Sequence, residues 1–256
     1  MTISITFDIE KDLHSGDCKG ITDGIPRILS ILDKYGVKAT FFTTAKIIEK
    51  FPQIFQALKK QRHEVALHGY AHERFDDLTF EEADEKISES VKIYRKVFGE
   101  NPQGFRAPQH SIDKKTLEIL KKNDFVYDSS YTPFNIFQIL FFLKKFRHEL
   151  KGFFSPREKY KILKDFYEIP VSSFLIPFVS LPLRVFPFAM LKIYLWILRK
   201  TNKNLVFYAH SWDFINLPNS KIDKMFSHKI FMNRFEKIIS LLSKHYKFVT
   251  INNLVK

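Results

Sequence analysis

Apolar and polar residues alternate from the third position. Ile3, Ile5 and Phe7 fall on one side and Ser4, Thr6 and Asp8 on the other, so Ile3–Phe7 reads as a strand with a polar, acidic end. The period then lengthens. Gly24–Tyr35 has apolar residues at helical spacing, with Pro26 near its start and Gly36 just past its end. Val37–Thr43 is a second strand and Ala45–Lys60 a second helix, and a short third strand, His63–Leu67, leads into His68-Gly69-Tyr70-Ala71-His72. Thr79 and Glu82 stand at capping-box spacing and open a helix that runs to about Phe98, where Gly99 stops it. Gln103–Ala107 is a fourth strand, Asp113–Asn123 a helix and Val126–Asp128 a fifth strand. Phe166–Val171 and Leu205–Ala209 add two strands, His228–Tyr246 a final helix and Phe248–Ile251 a last strand.

Strands interleaved with helices predict a parallel α/β architecture. Seven or eight of them in 256 residues predict an irregular (β/α) barrel, and the absence of a repeat, linker or charge block predicts one domain over 1–256. An aromatic-rich insertion at about 133–200 interrupts this pattern. Its uncharged runs, Ser129–Leu143 and Ile169–Leu183, are shorter than the ~20 apolar residues of a spanning helix, and prolines at 170, 177, 182 and 187 break any continuous helix. The insertion is therefore either a segment that touches a membrane interface or a cover for the barrel or a dimer surface.

Composition narrows the choices. An apolar share of 45% supports a large core, and a single cysteine, Cys18, excludes an intramolecular disulfide framework and reads as inert. The first residues lack a basic start followed by an apolar leader, which predicts a cytoplasmic protein, peripheral to the inner face of the membrane if the insertion touches it. A net charge of +13 invites nucleic acid, yet no nucleic-acid motif accompanies it. The basic residues spread along the chain, many of them near the aromatic stretch, which suits an anionic membrane surface or an anionic lipid-linked substrate; a lysine-rich solvated surface explains the charge equally well. No nucleic-acid partner is expected, and the oligomeric state is open.

Four of five chemistry-bearing clusters end predicted strands, the face on which barrel enzymes collect catalytic groups. In Thr6-Phe7-Asp8-Ile9-Glu10, Asp8 and Glu10 share one side of the strand, so one carboxylate can bind a cation while the other serves as a base. His68 and His72, four apart, would face one way on a helical turn and reach one metal ion. In Gly104-Phe105-Arg106-Ala107-Pro108-Gln109-His110, Arg106 can pair with Asp8 and hold it ionised, and the backbone N–H of Gln109 can face an oxyanion. The remaining clusters are Tyr127-Asp128-Ser129-Ser130 and Phe207-Tyr208-Ala209-His210-Ser211-Trp212. His210 can protonate a departing amine, and Asp128, if near, would raise its pKa and fix its tautomer.

In this order the clusters resemble the polysaccharide deacetylase family, the NodB-homology domain of carbohydrate esterase family 4, from about Ile3 to His210. Thr6-Phe7-Asp8-Ile9-Glu10 is similar to the family's T-F-D-D-G, His68 and His72 to its H-x-x-x-H, Arg106-Ala107-Pro108 to its R-x-P, and Asp128 and His210 to its later acid and histidine motifs. The resemblance implies a distorted (β/α)7 barrel and a divalent metal, most often zinc, with cobalt or nickel as alternatives. It also implies Asp8 as general base, His68 and His72 as metal ligands, Arg106 as the residue orienting the base, and His210 as an acid tuned by Asp128. Where the family has a second aspartate this chain has Ile9; the Asp-x-Glu pattern resembles a branch in which Glu10 takes the metal, and the division of labour between Asp8 and Glu10 is left to geometry. Tyr167-Glu168-Ile169-Pro170-Val171 also resembles this branch, with Glu168 either contacting substrate or exposed on the surface; Tyr70 and Gln109 complete the expected substrate contacts.

These readings predict a metal-dependent hydrolase that removes an N-acetyl group from an amino sugar of a polysaccharide or lipid-linked saccharide. The alternatives are a related C–N hydrolase, such as a deformylase of a lipid-linked aminosugar, and a saccharide- or membrane-binding barrel with weakened catalysis.

Overall fold

A computed structural model describes residues 1–12, 15–136, 152–217 and 225–256. Its strands are β1 (Thr2–Ile9), β2 (Thr40–Thr43), β3 (Glu64–Leu67), β4 (Gly104–Phe105), β5 (Tyr127–Asp128), β6 (Tyr160–Leu163), β7 (Phe166–Glu168), β8 (Ser173–Phe174), β9 (Ile176–Pro177), β10 (Asn204–His210) and β11 (Lys247–Phe248). The helices are α1 (Ile25–Lys34), α2 (Ala45–Lys50), α3 (Pro52–Lys60), α4 (Phe80–Phe98), α5 (Lys114–Lys122), α6 (Ser180–Val185), α7 (Phe188–Thr201), α8 (His228–Ser243) and α9 (Ile251–Val255). The curled sheet runs β10-β1-β2-β3-β4-β5-β7-β6, and every pairing along it is parallel except β6 with β7. Along this path that leaves seven parallel strands, with β11 pairing parallel to β1 off it, the irregular (β/α)7 barrel that the alternation and the motifs predict.

Strand parity divides the sheet into two faces. Ile3, Ile5, Phe7 and Ile9 of β1 belong to the large core under the helices. Ser4, Thr6 and Asp8 point the other way, toward the smaller interior cluster of Phe42, Ala66, Tyr127, Ile169 and Val206. The sheet does not close by strand pairing. Between β7 and β10 the wall is completed by the stretch 171–179, through Ser172 N–H to Val206 O (3.0 Å) and Tyr208 N–H to Phe178 O (3.1 Å).

Several expectations need correction. The helix expected over Ala45–Lys60 is two, α2 and α3, because Pro52 disfavours helical geometry at Phe51, which lies at φ −129°, ψ 50°. The Thr79 capping box and the Gly99 left-handed stop of α4 form as expected. The final strand is only β11, and Ile251 opens α9 instead. Of the insertion, residues 137–151 lie outside the described residues. The rest holds the antiparallel β6, the β8–β9 hairpin, α6 and α7: Pro182 sits in the first turn of α6 and Pro187 immediately precedes α7, positions that tolerate proline.

Candidate active site

The C-terminal ends of β1, β3, β4 and β10 converge on a group of buried polar side chains. Arg106, fully buried, anchors it. Its Nε donates to Ser129 O (2.9 Å), Nη1 to Thr6 Oγ1 (2.9 Å) and Asp8 Oδ1 (2.7 Å), and Nη2 to Ser129 Oγ (3.0 Å), while the guanidinium lies 4.1 Å over the Phe42 ring. A buried guanidinium is tolerable only with its donors matched in this way. Burial works to raise the pKa of Asp8, but Arg106, followed by His68 and His210, outweighs it and holds the carboxyl below its ordinary range. Asp8 is therefore ionised, with Oδ2 turned toward His68 Nε2 at 3.9 Å.

His68 Nδ1 lies 2.8 Å from Arg106 O. A carbonyl only accepts, so Nδ1 carries the proton and Nε2 presents a lone pair. That lone pair lies 3.7 Å from Glu10 Oε2, which His72 Nε2 also contacts closely. The two histidines do not sit on a helical turn as their spacing suggested. They flank a loop in which Gly69 (φ +75°) and His72 (φ +82°) are left-handed, pinned by Ala45 N–H to Gly69 O and by Glu73, which accepts from Tyr70 N–H and Ala71 N–H. A side chain at Gly69 would meet Phe75 and Pro108 at 3.1 Å. The loop still brings the rings to 5.5 Å between centroids.

One ligand atom from each of Glu10, His68 and His72 lies within 4.8 Å of the others. Glu10 Oε2 is buried and met only by the ring nitrogens of His68 and His72 among the described residues, an arrangement of ligand atoms that a shared cation would satisfy. A carboxylate and two imidazoles, one with its tautomer set by a carbonyl behind it, fit a divalent metal ion. The geometry groups Glu10, not Asp8, with the imidazoles; Asp8 is held by Arg106.

His210 closes the site from β10, where it is the register partner of Asp8. Its Nε2 is 3.7 Å from Glu10 Oε1, its ring stacks on Trp212 at 4.2 Å, and Trp212 Nε1 donates to the same Glu10 oxygen (3.4 Å). Behind it, Asp213 Oδ2 accepts the His210 backbone N–H (2.9 Å) and lies 3.8 Å from Nδ1, while Arg184 Nη2 holds Asp213 Oδ1 at 3.0 Å. Burial lowers the His210 pKa, but Asp213, Glu10 and Asp8 together raise it above the ordinary imidazole value.

Asp213 is thus the partner expected of Asp128. Asp128 pairs in register with Phe105 and Glu168, on the helix-covered face of the sheet, while Asp8 and Arg106 line the interior. Its oxygens accept from Ser130 Oγ (2.7 Å) and Ser130 N–H (3.1 Å), so it does not tune His210. Glu168 is fully buried beside it, neither on the surface nor facing the cleft, and accepts Tyr131 N–H (3.0 Å). Burial and the neighbouring Asp128 push Glu168 well above its ordinary value, and burial raises Asp128, so the two carboxyls share a proton. Tyr70 lies with its ring beneath Lys46 Nζ (4.8 Å) on α2 and Lys86 Nζ (5.0 Å) on α4. Gln109 is exposed on the rim, with its side-chain oxygen accepting from Arg74 Nη1 at 3.2 Å.

His110, next to Gln109, also lies at the site. Its Nδ1 donates to Ser130 O (2.7 Å), and burial and Arg106 lower its pKa to about 4, so the ring is neutral with a lone pair at Nε2. Rings then run in a line, His110 to Tyr208 (5.3 Å), Tyr208 to His210 (5.5 Å), His210 to Trp212. On the other side of Glu10 and His72 opens a cleft of about 870 Å³ lined in part by Lys11, Lys46 and Lys50.

Residues 1–127 match the family model for polysaccharide deacetylase. This match places the N-terminal half of the chain, residues 1–127, in the polysaccharide deacetylase family. Residues 144–256 match a domain of unknown function, DUF3473. A peptidoglycan deacetylase of Helicobacter pylori is 32% identical over 134 residues, covering 50% of this chain and 44% of that protein, so the match spans less than half of this curated relative. Among solved structures, a peptidoglycan N-acetylglucosamine deacetylase superposes with a TM-score of 0.62 at 19% identity over 99% of this chain and 87% of that one. An allantoinase superposes with a TM-score of 0.71 at 15% identity over 99% and 88%. At such identities these likenesses are of fold.

Proposed function

We propose that this polysaccharide deacetylase family member is a metal-dependent amide hydrolase that removes the acetyl group from an N-acetylated amino sugar of a polysaccharide or lipid-linked saccharide. The observation that carries the reading is the convergence of Glu10, His68 and His72 beside an ionised Asp8, with a protonated His210 opposite. A divalent cation, zinc by the donor set, would supply Lewis-acid activation of the water and the amide carbonyl. Asp8 takes a proton from the attacking water through Oδ2, the oxygen that Arg106 leaves free. The water oxygen bonds to the carbonyl carbon, the C–N bond breaks, and His210 gives its Nε2 proton to the departing amine. Asp213 keeps His210 protonated and oriented, and Arg184 keeps Asp213 in place. The stacked His210–Trp212 ring pair offers a face on which a sugar ring can pack, with Tyr208 edge-on to His210 beside it.

The test combines metal content with released acid. Purified protein is expected to hold about one divalent ion per chain, lost in the His68→Ala/His72→Ala double variant. It is expected to free acetate from N-acetylated chito-oligosaccharides, with Asp8→Asn inactive. Formate from a formamido sugar without acetate from any N-acetylated one would move the reading to a deformylase. A chain that binds no divalent metal, or an Asp8→Asn variant as active as the parent, would refute it.

A further inference from the structure

Helix α7 packs on the barrel with Leu191, Tyr194, Leu195 and Leu198. Its opposite side carries Met190, Ile193 and Trp196, exposed at 50%, 61% and 58%. Their spacing of three lays them along one stripe, where a surface helix ordinarily carries charge. Lys192, Arg199 and Lys200 lie on the same exposed side, and from Ile169 to Trp212 the sequence contains no Asp or Glu.

A second observation comes from the β8–β9 hairpin. Leu175, the single residue between its strands, sits at φ +61° and is 44% exposed. A leucine in the left-handed region is strained, and an exposed one recovers nothing from the core. Ile136, also exposed, donates its N–H to Leu175 O (2.6 Å), and Tyr194 Oη donates to Ile176 O (2.7 Å), which straps the hairpin to α7.

We infer that this face docks on an anionic lipid bilayer, its apolar stripe entering the interface and its cations meeting headgroup phosphates. Tryptophan with flanking lysine and arginine on a short helix matches a segment that lies in the interface plane. No helix among the described residues is long and apolar enough to cross a membrane, so the contact is peripheral. A second copy of the chain fits poorly: two-fold pairing would set the same cations against each other on molecules of net charge +13. Helix α6, immediately before α7 in sequence, carries the Arg184 that holds Asp213 behind His210. Docking stands independently of the proposed hydrolysis.

The experiment is co-sedimentation of the full chain with vesicles of phosphatidylglycerol and phosphatidylcholine, beside phosphatidylcholine alone. Binding is expected at least tenfold stronger to the anionic vesicles and weakened by salt, with Trp196 emission shifting blue and quenched by brominated acyl chains. Ile193→Ser/Trp196→Ser should weaken binding about a hundredfold, and each of Lys192→Gln, Arg199→Gln and Lys200→Gln about fivefold. Turnover of a short soluble substrate should be unchanged in all of them. No vesicle binding, binding indifferent to lipid charge, binding untouched by the double variant, or a dimer on gel filtration that the double variant dissociates would each overturn the inference.

Discussion

Two buried acidic residues lie at the C-terminal ends of strands of the same sheet, β1 and β5, and behave in opposite ways. Asp8 faces the barrel interior, opposite His210, with a guanidinium on one oxygen, and is ionised. Asp128 faces the helices, opposite Glu168, with Ser130 Oγ and Ser130 N–H donating to it and no cation paired with it among the described residues, and the pair keeps a proton. Burial pushes both upward; what differs is whether a cation shares the face. A shift of one residue along a strand therefore separates a base from a buried hydrogen-bonding pair.

The largest effect should come from removing the cation. Arg106→Met leaves Asp8 buried without its partner, and denaturant unfolding should show a loss of about 3–5 kcal/mol, with hydrolysis down by roughly 10³. A loss under about 1 kcal/mol would show that Asp8 does not depend on Arg106 for its charge. Next comes Asp213→Asn. His210 must be protonated to act, and its raised pKa keeps it so until the pH climbs through that value. Without Asp213 the alkaline limb of the rate profile should move to lower pH, with kcat falling about 10²-fold. A lower rate with an unmoved limb would reduce Asp213 to a prop.

The smallest effect tests the other pair. The folded chain holds a proton at Asp128–Glu168 that the unfolded chain releases above the ordinary carboxylate value, so the pair costs stability as pH rises from about 4.3 toward the raised value of Glu168. Glu168→Gln should stabilise the protein by about 1 kcal/mol at pH 8, with the gain vanishing near pH 4 and the rate unchanged. Destabilisation at pH 8 would mean that the pair is charged and matched by a partner.

Much of the first half was legible because β1 alternates cleanly and its helices carry stops, Thr79 and Gly99 on α4 among them. Asp8, Glu10, His68, His72, Arg106 and His210 were legible as an ordered set of motifs, and the structure brings all six together. Parity at Asp128 was not, since β5 has only two residues and no alternation from which to read a face. Asp213 was available three residues beyond His210, but its role depends on Arg184, 29 residues earlier, which only the fold brings near. His110 gave no signal because its neighbour Tyr208 comes from a strand at the far end of the chain. Helices α6 and α7 were obscured by prolines that turned out to sit at helix starts.

The pairing of β1 with β10, Thr2 to Asn204 through Asp8 to His210, has a consequence for biogenesis. One long apolar edge of β1 stays unsatisfied until two hundred further residues have been translated, about 10–40 s at ordinary elongation rates. During that interval the nascent chain presents an open template for wrong pairing. The two halves of the catalytic set, Asp8 on β1 and His210 on β10, therefore first meet only after β10 has been made.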